Sequence, residues 1–225
     1  MEGNPPMVSK SLWACGGKRW FDVALSGLLL VLLSPIFLLA ALLVKLTSAG
    51  PVLFQQDRGG KGGRTFRLYK FRTMRADRKP DVKELVPLDH PEITSVGWFL
   101  RRTKIDELPQ LVSVLVGDMS LVGPRPTLPD QVAAYDDFRR QRLLMRPGMT
   151  GLAQVNGNTG VPWDERILYD IAYVRRCNLM LDTTIFARTA FVVLLGDRRM
   201  TRPFRETSHA AFVAIPDGYG HADSE

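Results

Sequence analysis

Cysteine and histidine are scarce in this chain of 225 residues, and their placement excludes several chemistries. The two cysteines, Cys15 and Cys177, have no CxxC spacing, so there is no disulfide framework, which fits a reducing compartment. The histidines His90, His209 and His221 are scattered without metal-ligand spacing, which argues against a zinc site. There is no internal repeat. Acidic residues are in the minority, 23 against 30 Lys and Arg, and the net charge of +7 calls for an anionic partner: nucleic acid, a phospholipid surface or a phosphorylated small molecule. What is present is ample apolar material. Hydrophobic residues make up 45% and charged residues 24%, enough for one compact domain with a real core.

The longest charge-free stretch is "VALSGLLLVLLSPIFLLAALLV", Val23 to Val44. As a continuous helix at about 1.5 Å per residue it would reach roughly 33 Å, near the thickness of a bilayer's hydrocarbon core. It outlasts the roughly 7–15 residues of a signal-peptide core, although "TSAG" after it faintly resembles a cleavage site. Ser34-Pro35 interrupts it, and proline removes a helical hydrogen bond and forces a kink. Basic residues flank both ends: Lys18 and Arg19 before, Lys45, Arg58, Lys61 and Arg64 after. The positive-inside rule then keeps both flanks on the cytoplasmic side. A helix broken at Ser34-Pro35 that enters one leaflet and returns meets both demands, with the Ser34 hydroxyl available to a freed carbonyl. A kinked spanning anchor is the alternative.

Residues 1–17 read as a tail. "VLFQQDR" and "RTFRLYKFRTM" flank "GGKGG" and predict a β-hairpin, with glycine supplying the left-handed turn positions. That glycine turn lacks the order of a phosphate loop. From Asp77 to Pro91 the chain is polar and proline-interrupted, a loop or short helices. An amphipathic run from Glu107 to Val116 stops at Gly117, and "DQVAAYDDFRRQRLLM" and "WDERILYDIAYVRRCN" predict further helices. "TTIFARTAFVVLLG" is too short to span a bilayer and predicts a buried or interfacial helix. Residues 197–225 are polar with Gly, Pro and His, and predict a poorly ordered tail.

"TKIDELPQL" sets Asp106 beside Glu107 just after Arg101, Arg102 and Lys104. Two readings stand. Acids in a first helical turn oppose the positive end of the dipole and pair with local arginines. Alternatively, one carboxylate attacks phosphorus while the other holds a divalent cation, since magnesium takes one or two carboxylates plus phosphate oxygens. The polar surroundings suit phosphate. Arg125 is stiffened between Pro124 and Pro126, Lys70 and Arg72 share a strand face by alternation, and Arg146 sits among glycines in "MRPGMTG". Together they suggest a pyrophosphate site near a membrane surface.

The order "KRWFD", the apolar run with Ser34-Pro35, "GPVLFQQDRGGKGGRTFRLYKFRTM", "RRTKIDELPQL", "GDMSLVGPRP", "RPGMTGLAQVNG" and "YDIAYV" closely resembles the bacterial sugar transferase family, small monotopic phosphoglycosyl transferases. The resemblance covers roughly Lys18 to Gly196 and has the look of the minimal form, without the extra N-terminal helices of longer members. It implies transfer of a sugar 1-phosphate from a UDP-sugar to polyprenol phosphate with release of UMP. Asp106 falls on the family's nucleophile, Glu107 on its magnesium ligand, and Lys70, Arg101, Arg125 and Asp170 on its other active-site positions. Ser34 and Pro35 fall on its helix break, where the helix re-enters on the cytoplasmic side of the inner membrane. Lys104-Ile105 stands where many members have Ser-Leu, which alters local charge only.

The expected fold is therefore α+β and mostly α: a re-entrant helix over residues 18–47, then a transferase domain over 48–196 with a β-hairpin and interfacial helices. Membrane lipids and a second copy of the chain are the further partners this picture admits. A membrane-anchored nucleic-acid binder is the reading from another class, but no binding motif supports it. An inactive scaffold of the same fold is the other.

Overall fold

The computed structural model describes residues 8–75, 88, 90–195, 201–216 and 219. The polar stretch expected as a loop, 77–91, lies almost wholly outside them.

Two helices open the fold. Helix α1 (Lys18–Leu32) and α2 (Ser34–Thr47) meet at a bend of 60°. Pro35 has no N–H to offer the carbonyl of Val31, and the Ser34 hydroxyl donates to that carbonyl instead at 2.8 Å. The serine thus repairs the bond that its neighbour breaks. Among the described residues no single helix is long and apolar enough to cross a membrane; the bent pair passes that test only together. One side of α1 packs Leu25 and Leu29 against the protein, whereas Leu28, Val31, Leu32, Ile36, Leu38, Leu39 and Leu42 are exposed.

The hairpin forms as its sequence predicts. Strands β1 (Leu53–Gly59) and β2 (Thr65–Phe71) pair antiparallel from Leu53↔Phe71 to Gly59↔Thr65, around a turn in which Gly62 and Gly63 take positive φ. Its inner face packs Phe66 and Leu68 on Leu111, Val114 and Met119. Phe71 points the other way, into a cluster with Ala40, Val44 and Leu100. Helix α3 (Ser95–Arg102) crosses so tightly that a Cβ on Gly97 would lie 1.9 Å from the Thr73 carbonyl oxygen, so only glycine fits there. A short 3-10 turn, Ile105–Glu107, then leads into α4 (Gln110–Val116), which ends at Gly117 with φ 103° as expected.

Two features differ from the sequence reading. A parallel pair, β3 (Ser120–Val122) with β4 (Gly148–Thr150), replaces irregular chain; all three β3 residues are buried, so no alternation marked it. The helix expected over "DQVAAYDDFRRQRLLM" is broken into α5 (Pro129–Ala133), α6 (Asp137–Arg140) and a 3-10 turn, Gln141–Leu144. Tyr135 is buried with its hydroxyl on Thr127, and Asp136 restarts the helix by accepting from the Arg139 N–H at 2.7 Å.

The largest core surrounds α7 (Trp163–Arg176), whose Tyr169 and Tyr173 are fully buried, together with α8 (Leu179–Leu195). The described parts of the two expected tails, 8–17 and 201–216, pack against this core; the rest of 1–17 and 197–225 lies outside the described residues apart from Tyr219. Phe204 is fully buried and meets Tyr169 edge-on at 4.9 Å, and Val213 joins the same core. At the other end, Ser9 donates to the Cys177 carbonyl at 2.6 Å, and the Trp13 indole to Asp182 at 2.8 Å. Hydrogen bonds and apolar contacts with distant segments hold these described stretches, a tertiary effect that local polarity hides.

Candidate active site

The 3-10 turn carries the acidic pair. Lys104 precedes it with φ 60°, a left-handed conformation that costs a non-glycine residue about 1 kcal/mol and swings the chain from α3 toward α4. Arginines clamp the far end of α4: Arg19 donates to the carbonyls of Val114 and Leu115, and Arg146 to that of Gly117 at 2.8 Å. Cations at a helix C-terminus satisfy its open carbonyls and its dipole. The helix that follows the turn is therefore held at its far end.

Strand alternation delivers the first cation. Lys70 lies on the hairpin face of Phe66 and Leu68, one step farther on, and its Nζ reaches Glu107 Oε1 at 2.5 Å. Arg125 approaches the same oxygen at 3.6 Å. Burial alone would push the Glu107 carboxyl up, but the charges of Lys70, Arg125 and Lys104 hold it well below the usual carboxylate range. Asp106 behaves oppositely. It is 7% exposed, and burial followed by the Glu107 charge pushes it up to about 6, against the pull of Lys70, Lys104 and Arg101. Its Oδ1 is buried without a hydrogen-bond partner.

The structure therefore brings together Asp106, Glu107, Lys70 and Arg125, with the Arg101 charge close enough to act on Asp106. Arg101 is itself oriented by donating from Nε to Thr73 Oγ1 at 2.9 Å. The other three candidates occupy supporting positions. Asp170 is buried and paired with Arg142 at 2.5 Å; Arg142 in turn donates to the Arg125 carbonyl at 2.9 Å, so this acid acts on the cluster through two arginines. Arg72 is buried and donates to the Ser48 carbonyl at 2.6 Å, tying the hairpin to the foot of α2, while its Nε and Nη1 have no partner. Arg146 caps α4 as described.

Sequence reasoning missed Arg142, because its role rests on a partner 28 residues away. It also treated Arg58 only as a flanking charge, although β1 alternation places Arg58 on the face of Lys70.

Among the described residues there is no group of three or more His, Cys, Asp and Glu that could hold a metal ion. A divalent cation at the pair would thus be held by its carboxylates and by oxygens of a phosphorylated ligand. The unpartnered Asp106 Oδ1, and a Glu107 whose two cationic contacts both fall on Oε1, fit that donor set.

Residues 13–196 match the family model described as bacterial sugar transferase. Over 196 residues the chain is 41% identical to the undecaprenyl-phosphate galactose phosphotransferase of Salmonella typhimurium, covering 80% of this chain and 41% of that protein. It is 45% identical to a UDP-glucose:undecaprenyl-phosphate glucose-1-phosphate transferase of Caulobacter vibrioides, covering 80% of this chain and 70% of the relative. The exopolysaccharide production protein ExoY of Sinorhizobium fredii is 36% identical, with 85% and 92% covered. The chain thus spans well under half of the Salmonella relative's length.

Proposed function

The chain belongs to the bacterial sugar transferase family, and from that premise we propose that it moves a sugar 1-phosphate from a UDP-sugar to polyprenol phosphate, releasing UMP and starting cell-surface polysaccharide synthesis. The observation that carries this reading is the buried Asp106 carboxylate, one oxygen unpartnered, set beside Glu107, Lys70 and Arg125.

Asp106 is the nucleophile. With its carboxyl at about 6 it is mostly ionised at neutral pH, and burial has stripped the solvent that would blunt it. One oxygen of its carboxylate attacks the donor's β-phosphorus. The bond from that phosphorus to the bridging oxygen breaks, and UMP leaves with the electron pair. The sugar phosphate is then an acyl phosphate on Asp106. A phosphate oxygen of polyprenol phosphate attacks the same phosphorus, and the Asp106 carboxylate leaves unchanged. Both nucleophiles are anions already, so neither step requires a proton acceptor.

The cations supply the rest. Lys70, Arg125 and Arg101 neutralise the diphosphate and the charge that develops on the leaving phosphate. Glu107 would hold a magnesium ion, which when bound shields the phosphate oxygens. Asp170 and Arg142 fix the backbone at Arg125.

We place the bent helix pair in one leaflet of the inner membrane, entering and leaving on the cytoplasmic face. The exposed apolar side chains of α1 and α2, and the Ser34 bond that stabilises the bend, support this. A lipid acceptor then meets the site at headgroup height. Purified protein supplied with magnesium, polyprenol phosphate and a panel of UDP-sugars tests the function: UMP release from one of them is expected. No release from any donor would contradict it.

A further inference from the structure

A further arginine, Arg58, shares the Lys70 face at the far end of the hairpin. The register puts Arg58 opposite Phe66 and Lys70 opposite Phe54, so both side chains lie on one face of the sheet. Phe54 and Arg58 stand roughly 13 Å apart along the strand at about 3.3 Å per residue. Arg72, just past β2, is tied to Ser48 at the foot of α2, so the hairpin runs from the membrane helices outward and Arg58 sits at its outer end.

That outer end is fixed against the arginine loop. The Gly59 N–H donates to the Thr127 carbonyl at 2.8 Å, and a Cβ on Gly59 would lie 2.4 Å from Val132 Cγ2, so any larger residue there would displace Val132. Gly59, Gly60, Pro124, Arg125 and Thr127 wall a recess there. Arg58 is partly buried, its Nη2 donates to Gln56 Oε1 at 2.5 Å, and its Nε is buried without a partner. Burial, and then the neighbouring Arg125 charge, lower its pKa to about 10, with only Glu107 opposing. The Gly59–Thr127 bond brings the chain at Arg58 against the loop of Arg125, one and two residues from that contact, where an anion would offset both charges, and Glu107 is already engaged by Lys70.

We propose that Arg58, with Arg125, holds the phosphate of the departing nucleotide, on the side of Asp106 away from the membrane helices. The assignment rests on the UDP-sugar reading above. It divides the site: the soluble donor's nucleotide end lies toward the outer tip of the hairpin, and the lipid phosphate enters from the α2 end.

The test compares Arg58→Ala and Arg58→Lys with the unaltered chain by three readouts: donor KM, inhibition by UMP, and exchange of labelled UMP into UDP-sugar without acceptor. Arg58→Ala is expected to raise the donor KM and the UMP inhibition constant by about 10- to 100-fold, as loss of a charge-assisted hydrogen bond does. Polyprenol phosphate KM should stay within about twofold, and Arg58→Lys, which keeps the charge, should recover part of the loss. Unchanged donor and UMP constants, or an equal rise in acceptor KM, would overturn the assignment. Absence of UMP exchange in the unaltered chain would instead sink the transfer reading beneath it.

Discussion

At Asp106, burial and the adjacent Glu107 charge raise the carboxyl to about 6, while three cations hold Glu107 low. The two shifts predict opposite effects of two isosteric variants. Folded Asp106 keeps its proton up to about pH 6, whereas the unfolded chain loses it near 3.9, so its contribution to stability drains away as pH rises through that window. Asp106→Asn should therefore melt higher than the unaltered chain at pH 7, by on the order of 2 kcal/mol, with the gap closing toward pH 4. Glu107, held low, contributes stability above its unfolded value near 4.3 and loses it as pH falls, so Glu107→Gln should melt lower at pH 7. Thermal melts of both variants across pH 4–8 check the pair. Activity should carry the same signature, with kcat/KM rising through pH 6 to a plateau as free Asp106 ionises. The adjacency of the acids was legible in nine residues. Their divergence was not, because Lys70 arrives from 37 residues away and Arg125 from another loop.

Elements were legible where a period or a stop signal was long enough to read. The hairpin alternates over seven residues per strand, and its glycine turn is unmistakable. The three-residue strands β3 and β4 show no period, and the helix expected after Pro129 yields to a buried tyrosine and a capping aspartate. The bend at Ser34-Pro35 needs only local chemistry, a missing N–H and a hydroxyl three residues from the orphaned carbonyl, so sequence sufficed. Its consequence for topology is testable with cysteines at the exposed positions Lys10 and Lys61, in a Cys15→Ser background. Both should react with an impermeant reagent from the cytoplasmic side only. Pro35→Ala, which restores the N–H to the ladder and straightens the helix, should move Lys10→Cys to the other side in part of the molecules. Labelling from opposite faces in the unaltered helix would contradict re-entry.

Across the whole molecule the segments around Trp13 and Phe204 close the fold around α7. Trp13, Lys18 and Tyr173 converge on Asp182, and Phe204 plugs the core beside Tyr169. Trp13 and Lys18 reach Asp182 from 169 and 164 residues away, and Phe204 reaches Tyr169 from another helix's sequence neighbourhood, so composition at either end read as a tail. Phe204→Ala should cost about 3–5 kcal/mol and lower Tm by roughly 2–4 °C for each, since it empties a fully buried site. Calorimetry decides it; a melt unchanged within about 1 °C would mean that the segment contributes nothing. The central claim spans the same scale: a covalent route lets a soluble donor and a membrane acceptor use one site in turn, with the sugar phosphate held on the protein between them. Intact-protein mass spectrometry after rapid quenching with UDP-sugar, magnesium and no acceptor measures that state directly. The expected result is a mass increase of one sugar phosphate that maps to Asp106, disappears on adding polyprenol phosphate and never forms in Asp106→Asn. UMP release with no adduct on the protein, or an adduct that persists in Asp106→Asn, would contradict it.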